Sequence, residues 1–399
     1  MFRKIIKNNV IKKQVRMISS NRFFNEENLA LKNMMTSFVS KEVEPQANIN
    51  NRTETFNKEL FKKTGELGLL GLTVDENYGG SGGDAVSSCI VHHQLSKSDP
   101  GFCLAYLAHS LLFVNNLNFN GNDFQKNKYL PYFISGDRLG GMGMSEPHGG
   151  TDVLGMKSKL VDDGDNMILN GSKMWITNGN IGDAFLIYAN HNNGLSMVIV
   201  DNTMEGFSVS SNITNKCGVR ASGTAQLSFD NIVIPKENLV GEPGKATVCM
   251  MRNLEIERVA LAAMSLGIAE RCLEEMISYA KERTAFGKTL DKFGQIQQMV
   301  GLSYAEFKAG EAYVYNTALD LDLGKSGNRI DSDGVKLYCA SMAKNIADRA
   351  IQVLGGNGYI EDYVVERLWR DAKLIEIGGG TNESHQKNIT KDLVKLWGN

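Results

Sequence analysis

Apolar and polar positions change their period twice along this chain. From residue 26 to 135 apolar residues recur at helical spacing, broken by the glycine-rich stretch Tyr78-Gly-Gly-Ser-Gly-Gly. Between about residues 140 and 241, short runs take over: Met167-Ile-Leu, Trp175-Ile-Thr, Ala184-Phe-Leu-Ile-Tyr, Ser196-Met-Val-Ile-Val and Ala225-Gln-Leu-Ser-Phe. Gly, Asn and Asp separate them, which predicts strands and turns at barrel or sandwich spacing. Helical period then returns. From 245 to 281 the only glycine is Gly267, and Val248, Met251, Leu254, Leu261, Met264, Ile268 and Met276 lie at helical intervals, enough for a mostly buried helix. Further helices are predicted near 295–322, 332–354 and 383–396.

Proline placement agrees. All six prolines precede residue 244, leaving 156 residues with no imino group to interrupt a helix. The pattern reads as an α+β chain: an N-terminal all-α domain (25–139), a middle β-barrel or sandwich domain (140–242) and a C-terminal all-α domain (243–399).

Composition narrows the function classes. No window approaches about 20 uninterrupted apolar residues, which argues against a membrane-spanning helix. Six singly placed cysteines and six histidines without H-x-x-x-H or H-x-H spacing give no disulfide scaffold and predict no metal site. The net charge of −2 hides an asymmetry, because residues 1–24 hold seven bases and no acid. The remainder carries 36 bases against 45 acids, a poor surface for nucleic acid. The basic, serine-bearing and amphipathic leader has the composition of a mitochondrial transit peptide, which places the protein in the matrix.

Within the long proline-free helix, Leu254-Glu-Ile-Glu-Arg258 holds two acids of different character. Glu257 shares a face with Leu254, Leu261 and Met264, so its carboxyl projects along apolar surface. Desolvation raises a carboxyl pKa and suits a base that must take a weakly acidic proton. Glu255, three residues from both Arg252 and Arg258, reads as a paired surface charge. Gly378-Gly-Gly-Thr381 and Gly355-Gly-Asn-Gly-Tyr359 free backbone for close approach to a ligand, and each by itself is also compatible with a helix C-cap. Neither is a P-loop or a dinucleotide fingerprint. Met144-Ser-Glu-Pro-His148-Gly-Gly-Thr-Asp152 and Trp175-Ile-Thr-Asn-Gly set an aromatic near hydroxyl and amide donors, as a planar heteroaromatic cofactor would need; His148 reads as a loop residue.

Met144-Ser-Glu-Pro, Trp175-Ile-Thr-Asn-Gly, Arg283-Thr-Ala-Phe-Gly287, Gly355-Gly-Asn-Gly-Tyr and Leu368-Trp-Arg-Asp371, in this order, resemble the acyl-CoA dehydrogenase family over residues 27–399. The resemblance implies that family's fold, with a C-terminal four-helix bundle, and an FAD enzyme that introduces an α,β double bond into an acyl-CoA thioester. It is closest to the isovaleryl branch of leucine catabolism. Many members carry the base in Tyr-Glu-Gly-Thr, where this chain has Gly378-Gly379-Gly380-Thr381; the isovaleryl branch carries it in a segment matched by Leu254-Glu-Ile-Glu257-Arg258. Glu257 is thus implied to remove the α proton while the β hydrogen leaves as hydride.

By position, the resemblance implies FAD contacts from Met142, Met144, Ser145, Thr151, Trp175, Ile176, Thr177, Arg283, Gln295, Gln352, Gly355, Gly356, Thr381, Asn382 and Glu383. Arg283, Gln352, Gly355 and Gly356 would act across a subunit interface. Substrate contacts are implied for Ser145, Thr151, Val248, Glu255, Arg258, Gly378, Gly379 and Gly380, with the Gly379 amide on the thioester oxygen. The expected partners are an acyl-CoA, an electron-transferring flavoprotein as acceptor, and further copies in a homotetramer built as a dimer of dimers.

The chain departs from the family pattern in three places. Phe293-Gly-Gln295 displaces a glutamine by one, the 190–194 loop is short, and Glu255 replaces an aspartate. Other readings are a dehydrogenase for 2-methyl-branched, straight-chain or glutaryl thioesters, an oxidase, a DNA-associated idle relative, or a purely structural helical protein.

Overall fold

The computed structural model describes residues 23–325 and 327–398, so most of the predicted leader lies outside the described residues. Helix α1 (Glu26–Phe38) starts where the side chain of Asn25 accepts the Asn28 N–H and Glu26 and Glu27 face the positive end of the helix dipole. A π-helical turn (Val39–Val43) leads into α2 (Glu44–Thr53), followed by α3 (Lys58–Glu66), α4 (Ala85–Ser96) and α5 (Pro100–Leu107). Asp84 and Asp99 cap α4 and α5 by accepting the N–H groups of Ser87 and Phe102. The chain continues through π-helical Ala108–Asn115 into α6 (Asn116–Asn120), and α7 (Asp123–Ile134) completes the N-terminal helical domain.

Among the described residues one helical stretch, Pro100–Asn120, is long and apolar enough to cross a membrane by length and composition, with a mean hydropathy of 1.2 over an 18-residue window, but 89% of that window is buried inside the protein. It is apolar all round because it is enclosed all round.

The middle domain is one eight-stranded sheet of order β6-β7-β3-β2-β4-β5-β8, with β1 paired on β4. Its strands are β1 (Gly140–Gly143), β2 (Lys159–Asp163), β3 (Asn166–Thr177), β4 (Ala184–His191), β5 (Gly194–Asp201), β6 (Phe207–Asn212), β7 (Thr224–Pro235) and β8 (Leu239–Val240). Along β4, Ala184, Leu186 and Tyr188 pack toward the helices, while Phe185, Ile187 and Ala189 enter the opposite core. Both faces are covered, so β4 and β5 read as continuous apolar runs. Strands β1, β2 and β6 escape the sequence pattern because glycine, or exposed polar residues, dominate them.

Helix α8 (Ala246–Glu282) is the long helix that proline-free spacing predicted. Every residue from Glu255 to Ala269 is buried. A Cβ on Gly267 would stand 2.1 Å from Ser96 Oγ, so glycine is what lets α8 approach α4 this closely. A short hairpin, β9 (Thr284–Ala285) and β10 (Lys288–Thr289), precedes α9 (Gly294–Asp320), α10 (Arg329–Leu354), α11 (Val364–Ile375) and α12 (Asn382–Trp397). The hairpin and α11 were not foreseen. Charges at Glu366, Arg367, Arg370 and Asp371 mask the α11 stripe of Val365, Leu368, Ala372 and Ile375. Both helical domains share one core around α8.

The last two residues of the expected leader, 1–24, pack against the folded body. Phe23 and Phe24 are buried at 7% and 6% exposure, and Phe24 meets the Tyr315 ring edge-on at 4.8 Å. Burial of a phenylalanine in this core predicts that Phe24→Ala destabilises the fold by about 3 kcal/mol, read as a lower denaturant midpoint; an unchanged midpoint would place Phe24 outside the folded body.

Candidate active site

Glu257 sits in the middle of α8 at 7% exposure. Its Oε2 has no hydrogen-bond partner among the described residues, and burial pushes its carboxyl up to about 7 against the opposing charges of Arg258 and Lys336. An unpaired buried carboxyl is costly in a scaffold and expected in a base.

The triple-glycine turn closes over it. Helix α11 ends as the N–H groups of Ile377 and Gly378 both bond to the Leu374 carbonyl. Gly379 and Gly380 then take φ values of +67° and +98°. A Cβ on Gly379 would lie 2.2 Å from Leu261 Cδ1 and 3.6 Å from Glu257 Oε1, so the turn touches α8 one helical step from the carboxyl. The turn is therefore both a helix stop and one wall of the site. Among the described residues the Gly379 N–H donates to no backbone carbonyl. Thr381 accepts the Ser384 N–H as N-cap of α12, and Asn382 donates to Ser341 Oγ at 3.1 Å, while Glu383 is exposed.

Arg258 is buried and forms an ion pair from Nε to Asp333 Oδ1 at 3.1 Å. Glu255 corrects the expectation of a paired surface charge. It is 3% exposed and accepts the N–H groups of Gly327 and Asn328 at 3.2 and 3.1 Å. Arg252, its expected partner, donates instead to the Gly324 carbonyl. Those caps connect segments 72 residues apart, which helix spacing cannot reveal. Val248 is 66% exposed at the start of α8.

A second wall comes from the sheet. Met174 N donates to Ser145 O at 2.9 Å, so the segments holding Ser145 and Trp175 run side by side. Between Lys173 and Ile176 the register of β3 against β7 shifts, Trp175 takes φ +65°, and its side chain is left 60% exposed. A bulge that re-aims one side chain accounts for this. Glu146 braces the segment by accepting the Lys157 and Ser158 N–H groups and the buried Lys173 ammonium at 2.8 Å. Met142, Ser145 and Thr177 are half-buried and Thr151 is exposed, whereas the side chains of Met144 and Ile176 are buried and leave only backbone to offer a ligand. His148 is a loop residue 3.4 Å from Glu146.

The remaining predicted residues are elsewhere. Arg283 lies 26 residues beyond Glu257 on the same helix line, about 39 Å along its axis. Gln352, Gly355 and Gly356 end α10 beside it, since Asn357 donates to Tyr279 OH at 3.0 Å. Gln295 is exposed at the start of α9. One chain therefore holds two separate clusters, one around Glu257 and one at the far end of the bundle.

Sequence reasoning missed Asp333, Lys336 and His385, which surround the turn. Lys336 carried a readable signal, a lysine on the apolar stripe of Cys339, Ala340 and Ala343. His385 carried none, being the one buried residue of α12, whose apolar residues Ile389, Leu393, Val394, Leu396 and Trp397 are not buried.

Burial raises the folded pKa of Glu257 above its ordinary 4.5, so ionising it costs stability as pH climbs from 4.5 and the full cost is reached above about 7. Glu257→Gln is predicted to melt higher than wild type above neutrality, by on the order of 3 kcal/mol, and to match it at acid pH. Equal melting curves at alkaline pH would contradict the burial.

Three family models match the chain: the acyl-CoA dehydrogenase N-terminal domain over residues 25–137, the middle domain over 141–232 and the C-terminal domain over 247–394. The mitochondrial isovaleryl-CoA dehydrogenase of Arabidopsis thaliana is 39% identical, across 94% of this chain and 93% of its own length. A short-chain acyl-CoA dehydrogenase of Clostridium acetobutylicum is 36% identical, across 92% and 97%. A glutaryl-CoA dehydrogenase of Mycobacterium smegmatis, solved with FADH2, superposes with a TM-score of 0.90 at 28% identity, across 94% and 97%. A helical domain, a sheet domain and a second helical domain, matched in that order, show that this chain belongs to the acyl-CoA dehydrogenase family of FAD-dependent oxidoreductases.

Proposed function

We propose that the chain converts isovaleryl-CoA to 3-methylcrotonyl-CoA, with Glu257 as the base. The observation that carries this reading is the buried, unpaired Glu257 carboxyl facing a glycine turn that has no carboxylate of its own. The isovaleryl-CoA dehydrogenases among the relatives favour the substrate, and Gly378, where an added Cβ would meet nothing closer than 3.5 Å, leaves room for a methyl branch next to the reacting carbons. In this reading the Gly379 N–H donates to the thioester oxygen as it gains enolate charge, while Glu257 takes the α proton. Arg258, Glu255, Val248, Ser145, Thr151, Gly378 and Gly380 line the substrate path.

The residues present fit FAD. Trp175 offers an exposed indole face next to Ser145 and Thr177, and a Cβ built on Gly355 or Gly356 meets no atom within 4 Å. Bound there, the flavin supplies a hydride acceptor. The chain's part is to hold it with Met142, Met144, Ser145, Thr151, Trp175, Ile176, Thr177, Thr381, Asn382 and Glu383. Because Arg283, Gln295, Gln352, Gly355 and Gly356 stand far from Glu257 in one chain, we assign them to the cofactor of a neighbouring copy. Phe286 at 97% exposure and Tyr359 at 83%, at that same end, favour such an association. A homotetramer, an electron-transferring flavoprotein as acceptor and a matrix location complete the reading; the mitochondrial relatives support the last.

Anaerobic addition of isovaleryl-CoA is expected to bleach the flavin of wild type and not of Glu257→Gln. Across isovaleryl-, 2-methylbutyryl-, isobutyryl-, butyryl-, octanoyl- and glutaryl-CoA, the isovaleryl thioester should give the highest kcat/KM. Preference for a straight chain would overturn the substrate assignment. The rate should rise with pH about a midpoint near 7 as Glu257 loses its proton. Gly379→Ala, whose Cβ meets Leu261, is expected to lower kcat at least about tenfold while the protein still holds flavin; unchanged kcat would remove the turn from the site.

A further inference from the structure

Lys336 lies on α10 and is completely buried. Its ammonium donates to the Gly380 carbonyl at 2.6 Å. That carbonyl has a second contact, His385 Nε2 at 3.1 Å. The other ring nitrogen of His385 lies 2.5 Å from Asp333 Oδ1, the oxygen that pairs with Arg258. A run of polar contacts thus links Lys336 on α10, the Gly380 carbonyl of the turn, His385 on α12, Asp333 on α10 and Arg258 on α8, the residue after Glu257.

The charges in this path are unequally matched. Arg258 has Asp333 as its ion-pair partner. Lys336 forms no ion pair among the described residues, and a neutral carbonyl returns little of the cost of burying an ammonium. Of the acids that face it, Glu257, Asp333, Glu376 and Glu383, the charge of Glu257 acts on it most strongly.

We propose that Lys336 is a positioning residue for this reaction, anchoring the glycine turn beside Glu257 and supplying the uncompensated positive charge that Glu257 faces. This rests on Glu257 being the base. The groups around the pair are Arg258 from α8, Asp333 from α10, Glu376 from the end of α11, the Gly380 carbonyl from the turn, Glu383 and His385 from α12 and Tyr188 from β4, whose phenol burial keeps neutral. Burial draws Lys336 down to about 8, opposed first by the charge of Glu257, and lifts Glu257 to about 7, opposed first by Arg258 and then by Lys336. Between these values both are charged, and the deprotonated base faces a cation in a dry site. Without that cation, the carboxyl would keep its proton further into alkaline pH.

The test is a difference-infrared pH titration of the FAD-loaded protein. The protonated Glu257 carboxyl band is assigned by its absence in Glu257→Gln. Lys336→Gln keeps a donor for the Gly380 carbonyl and loses the charge, Lys336→Met loses both, and Lys336→Arg keeps the charge. The band midpoint is expected to move up by about one unit in the Gln and Met variants and to stay in place in the Arg variant. Flavin reduction by isovaleryl-CoA should slow about fivefold at pH 7 in Lys336→Gln and recover at alkaline pH. If the Met variant does not hold flavin, the Gln variant carries the reading. An unmoved midpoint in Lys336→Gln overturns the proposal, as does a loss of rate that is equal at every pH. Flavin reduction that survives Glu257→Gln would instead overturn the assignment of the base, a separate outcome.

Discussion

A carboxyl group removed from water and left without a hydrogen-bond partner is the constraint on which the site depends. Glu257 is expensive where it stands, because burial penalises its charged form and nothing satisfies Oε2. The surrounding structure makes that position unavoidable. Every neighbour on α8 from Glu255 to Ala269 is buried, Gly267 draws the helix against α4, and the turn at Gly379 closes over the carboxyl. The core shared by both helical domains fixes the rotation of α8 and hence the direction in which Glu257 points.

Three architectural parts then divide the chemistry. Helix α8 provides the buried, unpaired Glu257 carboxyl and the ion-paired Arg258. The sheet provides a flat exposed face at Trp175, re-aimed by a bulge and braced by the buried Glu146 and Lys173 pair. The junction of α11 and α12 provides a backbone turn pinned by Lys336 and His385. Glu257 and the turn meet within one chain, whereas the Arg283 and Gly355 cluster lies tens of ångströms away along the bundle.

Much of this was legible in the sequence wherever one period governs a long element. The α8 helix, the strands β3, β4, β5 and β7 and the helices α9, α10 and α12 all follow from spacing, glycine and proline. Glu257 was set apart because Leu254, Leu261 and Met264 share its face. The failures have a common physical origin in contacts between distant segments. Glu255 looked like a surface partner for two arginines because the backbone it caps lies 72 residues away. Helix α11 was hidden because Arg367 and Asp371 are buried with its apolar stripe and bond to the distant Ser98 carbonyl and Val219 N–H. Asp333 and His385 could not be found by period at all, since their partners, each other, Arg258 and the Gly380 carbonyl, lie on other segments.

The most direct measurement is exchange of the α proton with solvent. A 3-thia acyl-CoA has sulfur at its β position and cannot surrender a β hydride, so deuterium uptake at its α carbon in heavy water reports proton removal alone. The account predicts rapid uptake in the FAD-loaded wild type and in Glu255→Gln, and none above background in Glu257→Gln. Uptake that persists in Glu257→Gln would show that another group takes the proton, and the site would lose its base.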